Sequence, residues 1–271
     1  MRDPKGAAFA HRYGPVALVA GASEGIGAAF ARALAAKGLD LVLVARRAAP
    51  LTALKDALRA EHDVEVRIVP GDLAEPETAE RVLDACRDLE IGLLVYNAAS
   101  ASIGRFLEIP IDAHLRAVAV NARGPVMLVH AFGRAMAQRG RGGIVLMSSL
   151  TAFQGTPLAA SYGATKAFNL VLAEALWGEL QDRGVDALAC CAGATLTPGF
   201  AVATPRRETG RLAPKPQDPA EVAREALDAL GHRPFVITGR GNRIASWLMR
   251  RILTRRFAVA TMGRAMRKRY G

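Results

Sequence analysis

The chain alternates short apolar runs with longer segments in which apolar positions recur every three or four residues. The runs are typical of buried strands and the periodic segments of helices. We predict strands at residues 16–20, 41–45, 64–69, 91–96, 144–147, 185–191 and 235–238. We predict helices from the turn after the first strand to about 37, at about 50–61, 76–89, 112–137 and 219–230, and from Ser161 onward. This alternation predicts an α/β fold, a doubly wound parallel sheet of about seven strands with helices on both faces.

The first predicted strand runs into a glycine-rich turn, Gly21-Ala22-Ser23-Glu24-Gly25-Ile26-Gly27. In parallel α/β sheets, ligands bind beyond the carboxyl ends of the strands. Glycines allow a tight turn there and let a pyrophosphate approach the N-terminus of the next helix. Such a turn can also be only a strand-to-helix connection, but its place after the first strand favours a dinucleotide site.

The second predicted strand ends in Ala45-Arg46-Arg47, where a site for NAD usually carries a carboxylate against the ribose 2′-hydroxyl. No acid stands at 45–47. Guanidinium groups suit a 2′-phosphate because they offer several directed donors. The residues therefore favour NADP(H). The alternative is a pair of solvated arginines at a helix start, which fits Arg47 better than Arg46.

Residues 144–166 carry the candidate chemistry. Ser149 follows the fifth strand, Tyr162 comes thirteen residues later, and Lys166 lies four residues beyond Tyr162. Residues four apart share a helix face, so a Lys166 ammonium can stabilise a Tyr162 phenolate and lower the Tyr162 pKa. Such a pair suits proton transfer to or from a substrate oxygen, which Ser149 could hold. The alternative interpretation is a core tyrosine beside a solvated lysine.

The composition limits the number of domains, the cellular location and the kinds of site that the chain can have. A chain of 271 residues that is 51% hydrophobic fits one large α/β domain or two small ones. No run of eighteen apolar residues predicts a membrane span, and the N-terminus lacks the apolar core of a signal peptide. Cys86, Cys190 and Cys191 offer neither a disulfide framework nor metal spacing, and the five histidines are scattered. We therefore expect a cytoplasmic protein without a metal site.

The tail, residues 240–271, holds ten basic residues and no acid, so ten of the eleven net positive charges lie there. Its apolar residues form two stripes at helical spacing, Ile244, Trp247, Leu248, Met249, Ile252 and Leu253 and then Phe257, Val259, Met262 and Met266. The tail could dock on an anionic membrane, on a second subunit or on its own domain. We expect docking on protein first and on membrane second. We expect no nucleic-acid partner, because the tail has no reader motif.

Together these elements resemble the short-chain dehydrogenase/reductase family, in its NADP-preferring part, over residues 14–240. The family has a Rossmann-like fold. The resemblance rests on motifs in the right order: the turn at 21–27, Gly71-Asp72-Leu73, Tyr96-Asn97-Ala98-Ala99, and residues 191–197. Asn121, in the run Val-Asn-Ala-Arg-Gly, matches the helix residue that completes the family tetrad.

The resemblance implies a role for each member of the tetrad. Ser149 orients the substrate oxygen, and Tyr162 passes the proton. Lys166 lowers the Tyr162 pKa and binds the ribose, and Asn121 holds a water that relays protons. The resemblance also implies the cofactor contacts, which are Gly21, Ser23, Glu24, Gly25, Ile26, Gly27, Arg46, Arg47, Asp72, Leu73, Asn97, Ala98, Ala99, Tyr162, Lys166, Gly193, Thr195 and Thr197.

Four positions depart from the family pattern. Tyr96 and Ala99 replace the first Asn and the Gly of an Asn-Asn-Ala-Gly run, and Ala192 and Ala194 replace two prolines near the nicotinamide. We expect the Ala99 methyl group to narrow the space beside the cofactor. We expect the loop without its prolines to be less rigid.

Substrate specificity should come from three loops, at residues 98–110, 150–160 and 198–217. Their apolar side chains favour a lipophilic carbonyl compound. These are Ile103, Phe106, Leu107, Leu150, Phe153, Leu158 and Phe200. The same side chains could instead only attach the loops to the body. The third loop also carries basic residues that could meet an acidic substrate or form a solvated lid, namely Arg206, Arg207, Arg211 and Lys215.

We therefore predict a reductase domain at 1–239 and a basic, partly amphipathic helical extension at 240–271. The predicted reaction is hydride transfer between NADP(H) and a ketone, aldehyde or 3-oxoacyl group, in either direction. We expect a homodimer or homotetramer. The alternative is a non-catalytic NADPH-binding sensor or scaffold, which would have no need for Tyr162.

Overall fold

Within residues 4–203 and 215–270, which the computed structural model describes, seven strands form one sheet. The strands are β1 (Val16–Ala20), β2 (Asp40–Ala45), β3 (Val66–Pro70), β4 (Ile91–Tyr96), β5 (Gly142–Ser149), β6 (Val185–Ala192) and β7 (Phe235–Ile237). Every pairing is parallel, and the order across the sheet is β3-β2-β1-β4-β5-β6-β7. The predicted doubly wound, Rossmann-like α/β fold is confirmed.

Helices cover both faces of this sheet. They are α1 (Pro4–Tyr13), α2 (Gly25–Ala36), α3 (Ala48–Glu61), α4 (Pro76–Ala85), α5 (Ile111–Val118), α6 (Gly124–Arg139), α7 (Ala160–Leu180), α8 (Pro198–Ala203), α9 (Pro219–Ala229), α10 (Arg240–Arg251) and α11 (Arg255–Tyr270). Helices α2, α3 and α9 pack on one face, and α4, α6 and α7 on the other. Because both faces are covered, β1 and β4 are buried along their whole length and read as continuous apolar runs.

The strand order reverses beside β1, which pairs with β2 on one side and with β4 on the other. The chain leaves β1 into α2 on one face of the sheet, and leaves β4 towards α6 on the opposite face. A crevice therefore opens at the carboxyl ends of these two strands. In open α/β sheets this is the place where ligands bind.

The helix expected at 112–137 is interrupted. It runs as α5, passes through a π turn at Ala119–Arg123 and continues as α6. The buried Tyr96 hydroxyl donates a 2.7 Å hydrogen bond to the Val120 carbonyl and so competes with the helical ladder. Gly124 makes room for it, because a Cβ there would lie 2.2 Å from that hydroxyl. Tyr96, which departs from the family pattern, thus shapes the helix that borders the crevice.

Helix α1 is an element that the hydrophobic pattern does not predict. It is anchored on β6, where Arg12 and Tyr13 donate to the Asp186 carboxylate at 2.6 and 2.7 Å. A largely buried carboxylate needs such donors to offset its lost hydration. Helix α4 ends four residues earlier than predicted, at Ala85. The Arg67 guanidinium donates a hydrogen bond to the Ala85 carbonyl, which would otherwise accept from the next turn of the helix.

The tail forms α10 and α11 and packs on its own domain. Asn242 of α10 donates to the Thr238 carbonyl at 2.9 Å, and Arg255 of α11 donates to the Phe153 carbonyl at 2.9 Å. Docking on the chain's own domain is one of the three interpretations that the sequence allowed. The described contacts are made mainly by polar and small side chains rather than by the first apolar stripe.

Candidate active site

A cavity of about 830 Å³ opens at the carboxyl ends of the central strands. Ser149, Tyr162 and Lys166 line it. Of the predicted cofactor contacts, all but Gly27 line it as well: Gly21, Ser23, Glu24, Gly25, Ile26, Arg46, Arg47, Asp72, Leu73, Asn97, Ala98, Ala99, Tyr162, Lys166, Gly193, Thr195 and Thr197. Residues from the ends of six strands and from the start of α7 therefore meet in one place.

The turn after β1 allows close approach of a ligand. Gly21 and Gly25 have positive φ angles of 83° and 57°, which glycine adopts without strain. A Cβ on Gly21 would lie 2.6 Å from the Ala98 backbone, and one on Gly25 would lie 2.7 Å from Thr197. Gly27 lies beneath the turn, where a Cβ would be 2.0 Å from the Gly21 carbonyl oxygen. Its role in this structure is to let α2 pack on β1.

The two arginines after β2 have different surroundings. The Arg47 guanidinium forms an ion pair with Glu24, whereas Arg46 is exposed and has no ion pair within the described residues. Asp72 accepts hydrogen bonds from Arg116 at 2.6 Å and from a backbone N–H at 2.9 Å. Burial alone would raise the pKa of Asp72, but these hydrogen bonds outweigh burial and lower it. The rim therefore holds an ionised carboxylate and one guanidinium available to an anion.

Three members of the predicted tetrad meet where β5 leads towards α7. Ser149 ends β5, and Tyr162 and Lys166 lie in the first two turns of α7. The Lys166 Nζ lies 5.7 Å from the centre of the Tyr162 ring and donates to the Met147 carbonyl at 2.9 Å. The Ser148 hydroxyl donates to the Lys166 carbonyl at 2.8 Å. These bonds fix the helix against the strand, so the phenol and the ammonium keep their relative positions.

Asn121 lies behind the cavity, fully buried in the π turn. Its Oδ1 accepts from the Ser100 N–H at 2.7 Å, and its Nδ2 donates to the Ser100 carbonyl at 2.8 Å and the Thr165 hydroxyl at 2.9 Å. The side chain therefore joins the loop after β4 to α7, next to Lys166. The water relay that the resemblance implies for Asn121 stays a prediction.

Burial dominates the ionisation of both proton-carrying side chains. Burial lowers the pKa of Lys166 to about 8, against a smaller opposite effect of the neighbouring thiols. Burial raises the pKa of Tyr162, a hydrogen bond with Ser149 lowers it, and the nearby Tyr270 phenol raises it. The predicted lowering of the Tyr162 pKa is therefore not seen in this structure, because removal from water outweighs the stabilising contacts.

The substrate side of the cavity holds fewer of the predicted side chains than expected. Ile103 and Phe200 line it. The other five predicted apolar residues do not: Phe106, Leu107, Leu150, Phe153 and Leu158. Phe106 stacks on His114 and Phe153 packs on Phe235, so these rings attach their loops to the body, as the alternative interpretation had it. Arg206, Arg207 and Arg211 lie outside the described residues, and Lys215 is exposed.

Arg116 and Tyr270 are among the lining residues that were not predicted from the sequence. Arg116 faces Asp72, and it could have been inferred as the partner that a half-buried carboxylate needs. Tyr270, at the end of α11, lines the same cavity as Tyr162. No sequence signal places Tyr270 there, because more than a hundred residues separate the two tyrosines.

In the part of the chain that the structure describes, no three His, Cys, Asp or Glu side chains come together as metal ligands. The three cysteines are buried and unpaired. No helix in this part is both long enough and apolar enough to cross a membrane.

Comparison with known proteins agrees with this geometry. The family model of the short chain dehydrogenases matches residues 15–208. The 7beta-hydroxysteroid dehydrogenase of Collinsella aerofaciens is 34% identical over 233 residues, which cover 86% of this chain and 89% of that protein. A solved structure from a study of 7beta-hydroxysteroid dehydrogenase stereoselectivity superposes with a TM-score of 0.86 at 31% identity, over 94% of this chain and 98% of the other.

A short-chain dehydrogenase from Sphingobium yanoikuyae, solved in complex with NADPH, superposes with a TM-score of 0.73 at 33% identity, over 83% of this chain and 87% of that one. The chain belongs to the short-chain dehydrogenase/reductase family, a class of oxidoreductases that use a nicotinamide cofactor. The residues present fit such a cofactor, because the glycine turn lines the same cavity as the Arg46 guanidinium and Lys166.

Lys166 should make stability depend on pH. Its pKa falls from 10.5 unfolded to about 8 folded, so between pH 8 and 10.5 the unfolded chain binds more protons and the free energy of unfolding rises with pH. Below pH 8 the buried charge costs about 3 kcal/mol. We expect Lys166→Met to gain stability relative to the wild type at pH 7 and to lose that relative gain by pH 10.5.

Denaturant unfolding across this pH range measures the difference between the two proteins. The hydrogen bond lost with the ammonium adds only a constant offset. Lys55→Met, on α3, controls for the loss of one lysine elsewhere. A Lys166→Met difference that stays constant from pH 7 to pH 10.5 would show that burial does not shift the Lys166 pKa.

Proposed function

We propose that this chain is an NADP(H)-dependent dehydrogenase that interconverts a ketone and a secondary alcohol on a bulky, mainly apolar substrate. The observation that carries the proposal is the meeting of the Ser149 and Tyr162 hydroxyls in one cavity beside a buried Lys166. A sensor or scaffold that only binds NADPH has no need for a phenol placed against a buried ammonium. The hydroxysteroid dehydrogenases among the relatives support the ketone and alcohol class.

In the reducing direction, Tyr162 donates its proton to the carbonyl oxygen while Ser149 donates a hydrogen bond to the same oxygen. That oxygen gains negative charge as its carbon is reduced, and donors fixed in a low-dielectric cavity stabilise the charge. When bound, the nicotinamide supplies the hydride, or accepts it in the reverse direction. Lys166 holds a positive charge below the ring and stabilises the phenolate that Tyr162 becomes. Asn121 positions α7 through Thr165.

The proposed preference for NADP(H) is based on the different surroundings of Arg46 and Arg47. Glu24 already neutralises Arg47, while Arg46 lines the cavity near Asp72 and forms no ion pair within the described residues. A 2′-phosphate would supply the missing anion. A ribose without phosphate would leave Arg46 unpaired and would gain no carboxylate partner at positions 45–47.

The outer wall of the substrate site includes the end of the tail. Helix α11 lies on the 150–160 loop, where a Cβ on Gly263 would be 3.1 Å from Pro157. The helix ends at Tyr270, which lines the same cavity as Ile103 and Phe200. These apolar and aromatic side chains suit the carbon skeleton of a steroid-sized ketone better than a sugar.

The proposal extends to assembly and location. The outer surface of α5 to α7 exposes Leu115, Val118, Val126, Phe168 and Val171, of which Val171 is 62% exposed. A homodimer or homotetramer would cover this apolar surface. Three unpaired thiols suit a reducing compartment such as the cytoplasm.

Tyr162→Phe should lower kcat for reduction of a 7-oxosteroid by at least about a hundredfold, because it removes the group that passes the proton. Cofactor binding and folding should not change, since the ring stays in place. Loss of NADPH absorbance measures turnover, and NADPH fluorescence measures binding. Near wild-type turnover in the variant would refute the assigned mechanism.

Arg46→Ala should weaken NADPH binding by roughly tenfold to over a hundredfold, equivalent to about 1.5–3 kcal/mol, and leave NADH binding nearly unchanged. Arg47→Ala is the matched control and should do much less, because Glu24 neutralises that charge in the folded chain. Titration of both cofactors against the three proteins decides the point. Equal weakening of NADPH and NADH by Arg46→Ala would mean that Arg46 does not bind the 2′-phosphate.

Tyr270→Ala should raise KM for a 7-oxosteroid about tenfold, through about 1.4 kcal/mol of lost apolar contact. It should leave kcat/KM for cyclohexanone unchanged, since a small ketone does not reach the tail. Tyr270→Phe keeps the ring and serves as the control. If both ketones respond equally to Tyr270→Ala, the tail forms no part of the substrate wall.

A further inference from the structure

Helix α10 is amphipathic, but it buries polar residues against the domain and exposes apolar ones, the reverse of the usual arrangement in a surface helix. Its polar residues Asn242 and Ser246 are buried against the domain, at 4% and 7% exposure. Its apolar residues and the C-cap residue Ile252 face outward, with 58% exposure for Ile244, 57% for Trp247, 43% for Leu248 and 61% for Ile252. We call these four residues the outer stripe. Their spacing places them on one face of the helix.

Specific contacts hold the helix in this orientation. Asn242 donates to the Thr238 carbonyl at 2.9 Å and lies on Gly193, where a Cβ would be 2.4 Å from its amide. Arg243 donates to the Glu225 carboxylate at 2.7 Å. A rotation that buried the outer stripe would break these bonds and would place an apolar side chain against Gly193. The exposure of the stripe is therefore a property of the docked helix.

The four arginines of α10 fall into two groups. Those that face the domain have partners, such as Arg243 with Glu225 and Arg250 over the Phe153 ring at 4.3 Å. Arg240 and Arg251 lie at helical spacing with the outer stripe and form no ion pair within the described residues. No acidic residue occurs anywhere from residue 240 to the end of the chain. The outward face is thus apolar with uncompensated positive charge.

We infer that the outer stripe of α10 is a docking surface for an anionic lipid bilayer. Apolar side chains with an interfacial tryptophan enter the headgroup boundary, and arginines beside them bind lipid phosphates. Basic residues near an anionic leaflet each add attraction that salt screens. The inference does not depend on the proposed reaction, because no residue of the outer stripe lines the cavity.

Charge decides between a bilayer and a second copy of the chain. Two copies meeting through this face would bring Arg240 and Arg251 of each towards those of the other, without an acid in either tail. Like charges at a contact that excludes water are destabilising. Residues 1–239 carry a net charge of +1 and so bring no net negative charge to such a contact. An anionic bilayer supplies both the apolar layer and the opposite charge.

The full-length protein should be tested for co-sedimentation with vesicles of phosphatidylcholine and phosphatidylglycerol at 7:3, and with vesicles of phosphatidylcholine alone. We expect binding to the anionic vesicles at 50 mM salt, at least tenfold weaker binding at 300 mM salt, and little binding to the neutral vesicles. Trp247→Ser with Leu248→Ser, and separately Arg240→Gln with Arg251→Gln, should each weaken binding at least fivefold. Melting temperature checks that these exposed changes leave the fold intact.

The matched control is Arg134→Gln with Arg233→Gln, which removes two exposed arginines elsewhere that have no ion pair within the described residues. Vesicle binding that falls equally in this control would show attraction of net charge only and would overturn the inference. Absence of binding to anionic vesicles would also overturn it. A molecular mass by light scattering that drops on Trp247→Ser with Leu248→Ser, without vesicle binding, would assign the stripe to a second copy.

Discussion

The buried ammonium of Lys166 is the feature on which the rest of the site depends. Its Nζ is 2.9 Å from the Met147 carbonyl, its one hydrogen bond within the described residues. Removal from water brings its pKa to about 8, which keeps it charged at neutral pH while the charge stays poorly hydrated. A charge in that position is unfavourable for folding. In the proposed mechanism this charge stabilises the phenolate that forms when Tyr162 gives up its proton, whereas burial alone raises the Tyr162 pKa.

Several polar contacts around the cavity act to hold this arrangement. Ser148 fixes the Lys166 backbone to β5, and Asn121 fixes the neighbouring Thr165 to the loop after β4. Asn121 in turn sits on a π turn, and the Tyr96 hydroxyl takes a carbonyl of that turn. Tyr96 therefore gives the helix break a hydrogen-bond donor.

The fold and the cofactor side of the site could be predicted because they depend on local patterns. Strands buried on both faces read as apolar runs, and residues directly after a parallel strand must lie at its carboxyl edge. The pairing of Arg47 with Glu24 could not be predicted, since many acids lie within reach of a loop arginine. Nor could the position of Tyr270, because it follows from how the tail packs on the second loop. Packing between distant segments leaves no periodic signal in the sequence.

The central claim is that this cavity carries out hydride transfer. The most direct measurement follows deuterium from NADPH labelled at C4 of the nicotinamide into the product of a 7-oxosteroid, read by mass spectrometry. The account predicts an alcohol with one deuterium on the carbon that bore the ketone oxygen. Tight binding of NADPH without a deuterated alcohol, across 7-oxosteroids, other bulky ketones, aldehydes and 3-oxoacyl thioesters, would contradict the account and favour a cofactor sensor.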